Sequence, residues 1–236
     1  MVETNWRTVV AGLSERRTPT AAQHHVAKQL GLVLGAKWHT AVAAGYLRRH
    51  LGATIGYEPA SGPPVGLDYA LGLGSSLRVR IPTEHRTSSE LVDGWIHALH
   101  DLRAERALKA LKPNVGDIVT VAAKSFAPDE LQTAEIKSIS ADGQLNFVGG
   151  RGARARPHRV EVLARVGDPD HKATQATAAN LAAKNRGRLL SFDDAHHAEL
   201  APFYVGNDPG IAAQNALLEG LEDADDEAPL QKVLEQ

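Results

Sequence analysis

The sequence predicts an α+β chain in which helical modules flank a small antiparallel β-barrel, with an acidic tail at the end. Three observations predict it. Apolar residues recur at helical spacing up to about residue 112, and the period then shortens to two between 115 and 165. Alanine-rich, helix-favouring sequence returns after residue 170. The resulting divisions are a first helical module (1–57), a second (65–112), the barrel (113–166), a C-terminal helical segment (170–221) and the acidic tail (222–236).

The chain has 236 residues, 43% of them hydrophobic and only 5% aromatic. That is enough apolar material to bury cores, packed mostly through small side chains. It contains no cysteine, which excludes disulfides, thiolate zinc sites and cysteine nucleophiles. Residues 1–7 show no basic region followed by an apolar run, and no apolar stretch approaches the roughly 20 residues that span a bilayer. A cytoplasmic protein without a membrane association is therefore expected. The net charge of −2 conceals a division. Residues 1–192 carry 25 Lys and Arg against 17 acids, whereas 193–236 carry one Lys against 11 acids. A basic body with an acidic tail suits a protein that handles polyanions. A tail that merely keeps a helical end soluble has the same composition.

Thr18-Pro19 is read as a cap and first-turn proline. Val26 and Leu30 follow as an apolar stripe, with Gly31 as the stop. Thr40 opens a second helix, with Ala44, Leu47 and Leu51 at helical spacing and Gly52 closing it; 58–64 reads as a linker. The outline then recurs. Ala27–Leu34 resembles Ala70–Leu77, and each precedes a Thr-initiated helix, at Thr40 and Thr87. The second carries a capping box, Thr87-Ser88-Ser89-Glu90, and runs through Leu91, Trp95, Leu99, Leu102 and Leu108 to Pro113. Strands are expected at 117–121, 134–139, 145–148 and 159–163, with Ala141-Asp142-Gly143-Gln144 as a hairpin turn. Further helices are expected at 173–184, after Ser191, and at 211–221.

Val115-Gly116-Asp117-Ile118-Val119, Ile136 with Ala141-Asp142-Gly143, and Arg159-Val160-Glu161-Val162 together resemble an SH3-like small barrel of the Tudor or KOW kind. The resemblance covers residues 113–165. It implies a binding role towards nucleic acid, peptides or modified side chains without choosing among them. Phe126 and Phe147 are the only aromatic residues in this segment, so no aromatic cage is evident.

The strongest charge feature is the run from Gly149 to Arg159, which holds Arg151, Arg154, Arg156, His158 and Arg159. Arginine's planar fork grips phosphate bidentately, and several such contacts make binding steeply salt-dependent. Lys184, Arg186 and Arg188 would extend that surface, and Arg16, Arg17, Arg48 and Arg49 would add contacts from the first module. Ordinary solvated loops have the same letters.

Asp93, His97 and His100 share a helix face with ligand-type side chains, but i to i+7 spans roughly 10 Å, too far for three ligands to converge. A solvated face explains them, as it does His196-His197 beside Asp193 and Glu199. Pro128-Asp129 with Glu135-Ile136-Lys137 resembles the PD…(D/E)xK pattern of metal-dependent nucleases. That resemblance implies Mg²⁺ held by Asp129 and Glu135, with Lys137 orienting the attacking water. A strand with alternating charges accounts for the same residues.

The expected function is a non-catalytic nucleic-acid-binding protein or adaptor, with DNA the first candidate and no cofactor or metal. The alternatives are a subunit that docks protein partners through its helical faces, Leu217/Leu218 or the acidic tail, and the Mg-dependent nuclease.

Overall fold

Asn5 starts the first helix by accepting hydrogen bonds at Oδ1 from the Arg7 and Thr8 amides (3.0 and 3.1 Å). The protein is seen in a computed structural model that describes residues 5–54, 63–124, 127–148 and 154–176. Elements follow in the order α1 (Trp6–Glu15), α2 (Ala21–Gln29), α3 (Thr40–Thr54), α4 (Leu67–Ser76), a 3₁₀ turn (Thr83–Arg86) and α5 (Ser89–Leu111). They continue with β1 (Ile118–Lys124), β2 (Ala127–Ile139), β3 (Leu145–Phe147), β4 (Arg154–Ala155), a second 3₁₀ turn (Pro157–Arg159) and β5 (Val160–Ala164). Mixed helix and antiparallel sheet make the chain α+β.

The chain divides into two compact units. Among the described residues, one holds 5–14 with 101–176 and the other holds 15–100.

In the first unit the strands pair antiparallel in the order β4-β3-β2-β1-β5. β2 pairs β1 up to Glu135 and β3 from Ile136 onward, so one long strand serves two ladders. A register shift between Ile136 and Ser138 marks the change. Val119, Val121, Ala134, Ile136, Ile139, Leu145 and Phe147 are buried in one core with Val9, Val10 and Leu13 of α1 and Ala104 and Leu108 of α5. The hairpin turn forms as expected, with Gly143 at φ +82°. The barrel is not closed. Among the described residues β4 pairs only β3 and β5 pairs only β1, and a two-residue β4 offers no further ladder to meet β5.

In the second unit, α2 begins two residues later than Thr18-Pro19 suggests. Thr20 is the cap, with Gln23 completing a capping box. Gly52 does not end α3, which runs through Gly52 and Ala53 to Thr54. α5 is capped by Ser88, whose Oγ accepts from the Leu91 amide (3.3 Å), rather than by Thr87. Thr87 Oγ1 instead turns back to donate to the Glu84 carbonyl (3.0 Å).

α2 and α4 end alike. Leu30, Gly31 and Leu32 donate to the carbonyls of Val26, Lys28 and Ala27, at 3.0, 3.1 and 2.7 Å. Leu77, Arg78 and Val79 donate to those of Leu73, Ser75 and Gly74, at 3.1, 3.0 and 2.8 Å. Gly31 and Arg78 both sit in the left-handed region, at φ +67° and +55°. The recurrence expected from the sequence is therefore present in a different register. Residues 26–34 match 73–81, and Thr40 corresponds to Ser89.

The linker segment 58–62, the helices expected after residue 176 and the acidic tail lie outside the described residues, apart from a helical stretch at 171–176. No helix among the described residues is long and apolar enough to cross a membrane.

Candidate nucleic-acid interface

Between β4 and β5, apolar residues alternate with basic ones. Ala155, Pro157 and Val160 are buried, and they pin the segment to the sheet. Pro157 opens the 3₁₀ turn, where its fixed φ suits the first position, and the Arg159 amide donates to the Arg156 carbonyl (2.9 Å). Arg154, His158 and Arg159 occupy the intervening positions, His158 exposed and the two arginines half-buried. Arg154 stands opposite Asn146 on β4, which pairs only β3 among the described residues. The packing thus gathers cationic side chains along six residues of backbone.

Arg156 has a different task. Its charge lies against Asp142 in the β2–β3 turn. Burial works to raise the Asp142 pKa, but hydrogen bonds from Ser140 and Gln144 (2.6 Å from Gln144 Nε2) and the Arg156 charge outweigh it and hold the carboxyl below its ordinary value. Arg151, Lys184, Arg186 and Arg188 lie outside the described residues. Of the expected second-unit contacts, Arg48 pairs with Asp93 (3.1 Å) and Arg49 donates to Thr87 Oγ1 (2.8 Å), so both fasten α3 to the approach and first turns of α5. Arg16 is half-buried and Arg17 exposed.

Of the nuclease-type residues, Asp129 and Glu135 both fall in β2, six residues apart along the strand. Glu135 accepts from Gln175 Nε2 (3.0 Å), and exposed Lys137 falls at the register shift, where simple alternation fails. The histidine face is likewise taken up. Asp93 holds Arg48 and His97 (3.6 Å), while His100 is buried against the Tyr69 hydroxyl (3.1 Å). Among the described residues no group of three or more ligand-type side chains is placed to hold a metal.

Two kinds of arginine escaped the sequence reading. Arg165 donates to the Leu111 and Lys112 carbonyls that end α5 (2.9 and 3.0 Å) and reaches Asp117 (3.4 Å). Arg78 and Arg80 are exposed, and neither side chain has a partner among the described residues. The alternation Leu77-Arg78-Val79-Arg80-Ile81 was the available signal. No known protein family, curated protein or solved structure matches the chain.

Proposed function

We propose that the chain is a non-catalytic nucleic-acid-binding protein, with DNA the first candidate, whose β4–β5 connection contacts backbone phosphate through Arg154, His158 and Arg159. The observation that carries this reading is the gathering of these cations along the short segment that links β4 to β5, 154–159. Such a segment meets phosphates in sequence-independent fashion and fixes no base preference. The order β4-β3-β2-β1-β5, the shared β2 and the 3₁₀ turn before β5 support an SH3-like barrel left partly open. The absence of cysteine favours a cytoplasmic location. The test is a binding panel of labelled duplex DNA, single-stranded DNA and RNA with the parent chain and the variant Arg154→Glu/Arg159→Glu. Equal affinities for parent and variant on every probe would sink the reading.

A protein adaptor is the second reading, favoured by the outer edge of β5, which has no partner strand among the described residues. Leu163 is 55% exposed there, and Val166 just beyond is 58% exposed. An exposed edge strand with apolar side chains accepts an added strand from a partner. Leu163→Lys with Val166→Lys abolishing co-purification of a partner, while leaving DNA affinity unchanged, would favour this reading.

A further inference from the structure

The second unit holds its own control experiment. The matched ends of α2 and α4 extend to matched interiors. Val26, Ala27 and Leu34 are buried, and so are their counterparts Leu73, Gly74 and Ile81. With Thr40 set against Ser89, Val42, Ala43, Leu47 and Leu51 correspond to Leu91, Val92, Ile96 and His100, all of them buried.

The contacts between the halves are reciprocal. A Cβ on Gly45 would overlap the Glu90 carbonyl, and one on Gly94 would overlap the Ala41 carbonyl. Glu90 and Ala41 are themselves counterparts. The rings follow the same rule. Trp38 packs edge-on against Tyr46 (5.1 Å between centroids), as His85 packs against Trp95 (6.1 Å). Trp38 and His85 then meet each other at 4.7 Å. A contact set that maps onto itself when the halves are exchanged is the signature of a local two-fold axis.

Against that background the exposed loop positions diverge. The first copy places Gly31 at the left-handed position and an exposed Val33 two residues on. The second places Arg78 and Arg80 there. Glycine adopts that conformation without strain, whereas a residue with a Cβ does so at a cost of roughly 1–2 kcal/mol. The first copy shows that the loop needs nothing more than glycine. Among the described residues Arg78 makes no side-chain hydrogen bond or ion pair that repays the strain, and Arg80 makes none either.

Arg86, in the same connection, shows the contrast. Its Nε and Nη2 both donate to the Ile81 carbonyl (3.1 and 2.7 Å), which is what a structural arginine does here. Attraction to the C-terminal dipole of α4 accounts for a cation near the helix end. It does not account for placing one on the strained residue itself, nor for Arg80 beyond the last turn.

We infer that the second unit is two copies of one helix–loop–helix, and that the second copy has exchanged a strain-free loop for a phosphate-contacting one formed by Arg78 and Arg80. Two planar forks two residues apart, both facing solvent, suit successive phosphates of a chain better than a single carboxylate. This site rests on the nucleic-acid reading only for the identity of the phosphate chain.

The test uses the full chain and Arg78→Gly/Arg80→Val, which installs the first copy's own residues. Labelled duplex DNA and inorganic polyphosphate are titrated across a salt series, and Tm is measured alongside. The expected result is a Tm at or above the parent's, affinity weakened roughly tenfold, and a log–log salt slope shallower by about two, near 0.9 per lost phosphate contact. Unchanged affinity and slope on both probes would overturn the site while leaving the β4–β5 reading standing. Parent binding to polyphosphate that depends on Arg78 and Arg80, with none to duplex DNA, would keep the site and overturn the nucleic-acid reading. A parent that binds neither overturns both. A Tm lowered by the exchange would overturn the assignment of equivalent copies.

Discussion

Gly45 and Gly94 meet the facing helix in the same way from opposite sides. Each lacks a Cβ where one would strike a backbone carbonyl, Gly45 at Glu90 and Gly94 at Ala41. α3 and α5 approach so closely because both helices carry glycine at the sixth residue.

Gly45→Ala and Gly94→Ala should therefore each destabilise the chain by about 1–3 kcal/mol, despite alanine's better helix propensity, because backbone cannot yield as a side-chain tip can. Gly72→Ala in α4 is the contrast. Nothing lies within 4 Å of a Cβ there, and propensity alone should stabilise by about 0.5–1 kcal/mol. Urea unfolding of the three variants checks both signs.

His85 should make stability pH-dependent. It is 4% exposed, and its Nδ1 accepts the Trp95 Nε1 hydrogen bond (3.0 Å), a role only the neutral ring can fill. Burial lowers its pKa from the ordinary value, opposed in smaller measure by Glu84, and burial with the Arg49 charge lowers His50 as well. An unfolded imidazole, titrating near about 6.5, then binds protons that the folded one refuses. The contribution is fully present above that value and is lost as pH falls through the folded value. Tm should fall between pH 7.5 and 5.5, and His85→Gln should flatten that fall.

Asp117 and Arg165 hold the end of α5 to the sheet. Asp117 is fully buried and accepts the Asn114 and Val166 amides (2.9 and 3.0 Å) together with Arg165. Asp117→Ala should cost about 2–4 kcal/mol, since it leaves buried donors unpaired. Arg165→Lys should cost less than Arg165→Ala yet more than nothing, because an ammonium cannot span both carbonyls. Chemical denaturation orders the three.

Arg156 and Asp142 should be energetically coupled. A double-mutant cycle of Arg156→Ala and Asp142→Asn should return about 0.5–1.5 kcal/mol at pH 7. Asp142 is held below its ordinary value, so that coupling persists above an unfolded carboxyl's titration near about 4 and disappears as pH falls through the folded value. A coupling near zero at pH 7 would contradict the pairing of Arg156 with Asp142.

Helices and turns were legible where local chemistry is decisive. Thr40 starts α3, Pro113 follows the end of α5, and Asp142-Gly143 makes the hairpin turn. Caps shifted by one or two residues because neighbouring Thr and Ser compete, and only tertiary packing selects Thr20 over Thr18 and Ser88 over Thr87. The register of the repeat was hidden for a related reason. Equivalent positions share burial rather than letters, as with Ala27 and Gly74, and the cap residues Gly31 and Arg78 look unrelated until their φ angles are compared. β2 extends well before Ala134 because pairing with β1 extends the strand across a sequence with no strict alternation. The arginine run of the candidate interface was visible as charge. The sequence could not show that Arg156 lends its charge to Asp142 in the hairpin turn.

The most direct measurement is the affinity of the full chain for a labelled DNA duplex between about 50 and 200 mM salt, beside Arg154→Glu/Arg159→Glu. The expected result is binding whose logarithm falls linearly with log salt, weakened at least roughly tenfold and flattened in slope by the double reversal. Binding that ignores salt, identical curves for the two proteins, or no binding at the lowest salt would contradict a phosphate-contacting β4–β5 segment.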